Sequence, residues 1–410
     1  MTEVVAVVPF GATVEGGGGT EAGKWARQIA RRLVDRFADD PDVELRPVFL
    51  VAMPEAASDA GYLVFGSTPD AKLASQYARS VEAGYALTGT YREAAGGRAL
   101  EVALVDVARE SPSATFSREI APGELHLVEP ALAAWLTSAL AAGTAPADAA
   151  PAAANEEAYA ALLEGMDSEV DATLLEKSDP AGAERAILEA ATAYARALTG
   201  DPAADAAEER VLVIAAGAVE REDHRLLAPV LERVVEARPR SWRAHFMLGE
   251  MRRLAGDVTG AIVALEHADA LRSLRPEDSL RLAQLHIVSG ASAVASSRLR
   301  RVLRGDAEPA VKATARRLLL GVRYPELEKD LEEAGKIAVE GDPARAADAE
   351  ARFERVLAAE PEIWEAHFGR GLLAWQRGDA AAADVAFARA IELNPAAADL
   401  LSEIGAAPEN

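Results

Sequence analysis

Six histidines, His126, His224, His245, His267, His286 and His367, are the first candidates for chemistry, because imidazole can bind metal or move protons near neutral pH. None forms an H-E-x-x-H pattern, and none is spaced to share a metal with another. His245 and His367 each lie between Ala and Phe in similar segments, which assigns both to packing. Cysteine is absent, so the chain has no disulfide, thiolate ligand or cysteine nucleophile. No G-x-S-x-G elbow occurs. Carboxylate pairs such as Glu332-Glu333 and Asp39-Asp40 are ordinary solvated faces of an acidic chain.

One further stretch has the spacing of a phosphate-binding loop: Gly18 to Lys24, GGTEAGK. Such a loop aims backbone N–H groups at phosphates, and a hydroxyl after the lysine holds magnesium. Here Trp25 stands in place of the hydroxyl, and the preceding strand ends near Phe10, too early for the tight strand-to-helix turn. Asp106, ending VALVD, could imitate the magnesium-holding strand but serves equally as a polar residue on a half-exposed strand. The stretch reads as a glycine loop entering a helix, with an NTPase as the competing reading. No catalytic constellation, cofactor site or metal site emerges.

Composition narrows the partners. The 410 residues suffice for two to three domains, and 50% are apolar, enough for a packed core. The net charge of -23 repels phosphate backbones and anionic lipid, which argues against nucleic acid and membrane surfaces. The opening MTEVVAVVPF is a poor secretory signal, and no segment approaches the ~20 apolar residues of a membrane span. The expected setting is cytoplasmic.

The elements that would position any site fall into two classes. Val4 to Pro9 is a β-branched run suited to a buried strand, and Gly11 to Gly19 reads as a loop. Glu21 to Phe37 is a helix with Trp25, Ile29, Leu33 and Phe37 on one face. A strand follows at Val43 to Val51 and a helix at Ala71 to Ala83. Strands come next at Tyr85 to Glu93, Arg98 to Ala108 and Ala114 to Ile120. Ala95-Gly96-Gly97 marks a hairpin turn, and Glu124 to Ala141 a closing helix with Pro130 in its first turn. This order predicts a small mixed-sheet α/β domain over residues 1–143. Ala- and Pro-rich residues 144–155 form a linker. From Glu156 onward the pattern is helical, with starts marked by Ser178-Asp179-Pro180 and Asp342-Pro343.

The clearest helical unit is Glu360 to Pro395. Small and aromatic residues Ala366, Phe368 and Gly371 face Ala383, Phe387 and Ala390 across a Gly378-Asp379 turn, and Asn394-Pro395 closes it. The spacing recurs about 34 residues upstream at Ala349, Phe353, Val356 and Pro361. WRAHFMLG, Trp242 to Gly249, echoes WEAHFGRG, Trp364 to Gly371, and Gly256-Asp257 follows it. The pattern resembles the tetratricopeptide repeat, which implies a helical solenoid over residues 156–410. Between the two echoing segments there is room for about three repeats and one extra helix, expected unpaired at Pro309 to Leu320. Leu400, Leu401 and Ile404 would cap the end.

The amino-terminal region resembles the corresponding domain of the translocation protein TolB and its relatives, through VVAVVPF, the helix after a loop, GYALTGTYREAAGGRALEVALVDV and the last helix. In bacterial signalling proteins such a domain often precedes tetratricopeptide repeats, with a Tyr-containing helix like EEAYAALLEG at the junction. The resemblance implies a bacterial protein.

The repeat resemblance implies that first helices of each pair line an inner surface. Its inward positions would be Arg243, Phe246, Glu250 and Arg253 in one repeat and Glu365, Phe368, Leu372 and Trp375 in another, with Glu277, Gln284 and Ile287 between them. Forked arginine and aromatic rings suit a peptide or partner helix, although Phe246 and Phe368 fit a core equally well. The expectation is a non-enzymatic scaffold or adaptor for a protein or peptide, with a homo-oligomer left open. The alternatives are the sensing half of a signalling system acting on a separate effector, and the NTPase.

Overall fold

The computed structural model describes residues 2–15, 20–48, 51–52, 61–62, 69–140, 150–222 and 227–403. Gly16 to Gly19 of the glycine loop, His224, residues 144–149 of the linker and Ile404 lie outside them. The elements run β1 (Glu3–Val7), β2 (Gly11–Val14), α1 (Thr20–Arg36), β3 (Val43–Pro47), β4 (Val51–Ala52), β5 (Gly61–Tyr62), α2 (Ala71–Ser80), β6 (Tyr85–Ala94), β7 (Gly97–Asp106) and β8 (Ser111–Ile120). A 3-10 turn at Leu125–Leu127 leads into α3 (Val128–Ala139). Helices then follow without strands: α4 (Glu156–Leu175), α5 (Pro180–Gly200), α6 (Asp205–Glu220), α7 (Ala228–Ala237), α8 (Trp242–Leu254), α9 (Val258–Leu271), α10 (Pro276–Val288), α11 (Ser292–Arg304), α12 (Pro309–Arg323), α13 (Pro325–Glu340), α14 (Ala346–Ala359), α15 (Trp364–Gln376), α16 (Ala380–Leu393) and α17 (Ala397–Glu403). A small mixed-sheet α/β layer is therefore followed by an all-helical repeat region. The chain divides into two compact units, residues 1–254 and 255–410.

In the first unit the main sheet has the order β3-β1-β6-β7-β8, with β2 also pairing β6. β1 runs parallel to β3 and β6, whereas β6, β7 and β8 form an antiparallel meander. Burial explains the composition of β1: Val5, Ala6 and Val7 are covered on both faces, so no polar alternation survives. Residues Gly11–Val14, expected within the loop, instead extend parallel to β6 from Thr90 to Glu93. Three of these four residues are β-branched or alanine, and free edge groups on β6 offer the pairing. The expected hairpin is present, with β6 ending at Ala94 and β7 beginning at Gly97. Ile29, Leu33 and Phe37 of the first helical stretch are buried, and α2 covers Ala6, Ala86 and Val105 with Ala74 and Ala78.

α4 packs against α1, and ionic groups fill that junction. Glu129 on α3 is fully buried and receives Arg36 at 3.0 Å, Arg32 at 3.4 Å and the Tyr159 hydroxyl at 3.0 Å. Burial works against the Arg32 charge, yet Glu129 beside it leaves the guanidinium pKa raised. Burial, with Glu129 adding to it, pushes the Tyr159 phenol well above its ordinary range. One face further along, Asp167 on α4 takes Arg27 at 2.9 Å and Gln28 at 2.9 Å. Arg210 on α6 bridges Asp35 on α1, 3.3 Å, and Glu169 on α4, 2.9 Å. Carboxylates and cations are thus matched across α1, α3, α4 and α6, as buried charge requires.

In the second unit, α10 pairs with α11, α13 with α14 and α15 with α16. α12 stands between the first two pairs and packs on α10, α11 and α13. It is the extra helix expected at Pro309 to Leu320, but it does not stand unpaired, since it packs closely on α11. Rings set the helix spacing: a Cβ on Gly369 would lie 2.2 Å from the Phe353 ring, and one on Gly371 would lie 2.6 Å from Phe387. Each aromatic rests on bare backbone, at Gly371 where the repeat pattern places glycine and at Gly369 outside that pattern. Gly378 ends its helix at φ 76°, and Asp379 then accepts the Ala382 amide at 3.1 Å, so one dipeptide stops a helix and caps the next. Leu401 of α17 joins this core.

Candidate functional site

On α8 the four expected inward residues divide by burial. Arg243 is exposed, and its guanidinium lies 5.8 Å from the centre of the Trp242 ring. Both residues line an open cleft of about 770 Å3 with Leu212, Arg238 and Arg240, and with the carboxylates Asp205, Glu208 and Glu209. Arg238 is held by Asp205 at 2.7 Å, by Glu208 and by the Pro202 carbonyl at 2.6 Å. Burial opposes its charge, but those carboxylates leave its pKa raised. Asp205 and Glu208 therefore serve Arg238, while Arg240 and Arg243 keep their charges toward the cleft. Phe246 is half-buried. Glu250 is buried and paired with Arg253 at 3.0 Å, so only Arg253 presents charge outward.

In the second unit Glu277 and Gln284 on α10 are exposed, and Ile287 packs against the α10–α12 core. On α15, Leu372 is a core residue and Phe368 is half-buried, its ring 5.4 Å from Phe387 and 6.1 Å from Trp364. Glu365 meets Arg317 of α12 at 4.0 Å, and Arg317 also takes Glu328 at 3.1 Å and Glu332 at 3.3 Å from α13. Burial raises the Glu365 pKa, and its Oε2 makes no hydrogen bond. α12 thus occupies the position a partner's cation would take at Glu365. Trp375 is different: 46% of it is exposed at the end of α15, next to Gln376, which ties α15 to the Ala338 carbonyl of α13 at 2.7 Å.

Of the ten candidate residues, Arg243, Arg253, Glu277, Gln284 and Trp375 offer their side chains outward, whereas Glu250 and Leu372 are used inside the fold. Sequence reasoning passed over Leu212, Arg240 and Trp242. The available signal was the run Arg238-Pro239-Arg240-Ser241-Trp242-Arg243, a turn carrying three arginines and an aromatic.

The histidines in equivalent slots do equivalent work. His245 Nε2 donates to the Pro239 carbonyl at 3.1 Å and His367 Nε2 to that of Pro361 at 2.9 Å, each closing the turn before its helix. Asp106 accepts from the amides of Ala108 and Arg109 at 2.9 and 3.1 Å, which fixes the β7–β8 turn. Lys24 lines a polar cleft with Glu164, Ser168, Glu189 and Arg196. Burial, then Asp167, raises the pKa of the nearby Asp171, and Lys24 opposes that rise.

A tetratricopeptide repeat model matches residues 215–274 and 344–399, so these two stretches are similar to tetratricopeptide repeats. Comparison with curated proteins gives no match. Among solved structures, the chain is similar to YrrB, described as a TPR protein with an unusual peptide-binding site, at 15% identity over 45% of this chain and 84% of that one, with a TM-score of 0.26. It is also similar to the P58(IPK) TPR domain, at 15% identity over 60% of this chain and 89% of that one, with a TM-score of 0.22.

Proposed function

We propose that this chain is a non-enzymatic scaffold that holds a protein or peptide partner on its repeat surface. Trp375 carries the reading. A tryptophan left 46% exposed keeps apolar area in water, and its own unit does not need it for packing, since Phe353, Phe387 and Leu372 already fill the interior. An exposed aromatic at an inward repeat position is an anchor for a partner. The Trp242–Arg243 cleft of the first unit supplies arginines, carboxylates and aromatic surface that suit a peptide of mixed charge. The reading divides the chain into a TolB-like module at 1–143, a linker at 144–155 and repeats at 156–410, in a bacterial, cytoplasmic protein.

A second reading draws on the junction at α4. The buried contacts of Arg32 and Arg36 with Glu129, and of Glu129 with Tyr159, would transmit a ligand-induced shift of α1 or α3 into the first repeats, as a sensing half would need.

Affinity capture with full-length wild type, Trp375→Ala and Arg243→Ala tests the scaffold, with each eluate compared by mass spectrometry. The expected result is a protein retained by wild type and lost by at least one variant, with melting unchanged. Identical eluates from all three would overturn the assignment to these faces. Capture that survives both substitutions but depends on Glu129 would favour the sensing half.

A further inference from the structure

α11 departs from the acidity of the chain. Its sequence, SAVASSRLRRVLR, contains four arginines and no carboxylate. Two of the arginines are used within the fold: Arg298 is buried against Asp269 at 2.7 Å, and Arg301 stands 3.6 Å from the same carboxylate. Arg300 and Arg304 are exposed, and neither pairs with a carboxylate among the described residues. Arg304 instead donates to the Arg300 carbonyl at 3.3 Å. The nearby Asp306 and Glu308 are exposed and do not pair with them.

Helical spacing places Ala293, Ser297, Arg300 and Arg304 on one outward face. Ser297, Arg300, Leu303 and Arg304 line a notch of about 350 Å3. Like charges one turn apart destabilise a helix. The helix dipole offsets this for Arg304 in the last turn but less for Arg300 a turn earlier. Among the described residues no carboxylate neutralises the pair.

We infer that this face of α11 docks an acidic segment of a partner protein. Carboxylates of the segment sit on Arg300 and Arg304, and an apolar side chain sits against Leu303. The guanidinium fork matches a carboxylate in two parallel hydrogen bonds. Two unpaired cations beside a small notch suit a short acidic segment. A nucleic-acid backbone or an anionic bilayer would present far more negative charge to a chain of net charge -23. The inference does not depend on Trp375 or on the Trp242–Arg243 cleft.

The test is fluorescence anisotropy with the full chain, using a fluorescein-labelled glutamate peptide with one central leucine, at low ionic strength. Wild type should bind it, and added salt should weaken binding. Arg300→Glu combined with Arg304→Glu should weaken binding about tenfold or more, and the paired Gln substitutions should do so to a smaller extent. If the Glu pair fails to melt cooperatively, the Gln pair decides. Trp375→Ala should leave this binding unchanged, which separates the inference from the scaffold reading. Absence of wild-type binding would overturn it, as would affinity insensitive to both pairs, or tighter binding of an oligothymidylate or of phosphatidylserine vesicles.

Discussion

The seam where α4 meets α1 and α3, and the helix pairs of residues 255–410, solve the same packing problem with different chemistry. Where α4 meets α1 and α3, the contact is ionic: Glu129 and Asp167 are buried and surrounded by Arg27, Arg32, Arg36, Gln28 and Tyr159. In residues 255–410 the repeat pairs close on rings, Phe353 over Gly369 and Phe387 over Gly371, and most charged pairs stay at the solvent side. An aromatic on bare backbone tolerates a small slide of one helix along another. A buried carboxylate with three donors fixes both distance and direction. The helix pair α4–α5 of the first unit also closes on a ring, Tyr194 over Gly165, so the buried ionic contact marks the seam where α4 meets unlike elements, and the ring contact marks helix pairs in both units.

Substitutions at the junction should have the largest effects. Glu129→Ala leaves Arg32 and Arg36 buried without their carboxylate and should cost about 3–5 kcal/mol, read by denaturant unfolding. A loss below about 1 kcal/mol would show that the cluster is solvated and the comparison wrong. Tyr159→Phe removes one donor from the same carboxylate and should cost about 1.5–3 kcal/mol. In the second unit, Gly369→Ala drives a methyl into the Phe353 ring and should cost about 1–3 kcal/mol. Hydrogen exchange should confine that loss to residues 255–410, and a loss spread evenly over the chain would erase the distinction.

Smaller effects sharpen the contrast. His286 is buried, and burial lowers its pKa, with Arg298 adding to this and Glu266 at 3.2 Å opposing it. The unfolded chain therefore binds this proton more readily than the folded one. Stability from this group is present above its ordinary value of about 6.5 and declines as pH falls through that region. His286→Gln should flatten the decline in a melting series, and an unchanged slope would assign the pH dependence elsewhere. Least affected should be Trp375→Ala, with a stability change within about 0.5 kcal/mol. A larger loss would mean that the ring belongs to the core.

Much of this was legible in the sequence because it is local. Gly378-Asp379 specifies a helix stop and the next start within two residues, and Ala383, Phe387 and Ala390 declare a face by spacing alone. The odd helix α12 showed itself as surplus length between two echoing segments. The strand at Gly11–Val14 was not legible, because its stability comes from an edge of β6 about 80 residues away rather than from its own pattern. The ionic junction left no trace for the same reason: Arg27 and Asp167 are 140 positions apart and each looks like an ordinary surface charge. At the candidate faces, periodicity gave the helix side but not its depth. Leu372 and Trp375 share that side, yet one is core and the other is in solvent.

The junction also bears on how such a chain can be rearranged in evolution. Recombination between α3 and α4 would hand the new neighbour a helix carrying Tyr159 and Asp167 without the arginines and glutamine that neutralise them. A successful exchange has to carry α1, α3 and α4 together, so the inheritable cassette ends inside the helical region and not at the Ala- and Pro-rich stretch that looks like a natural seam.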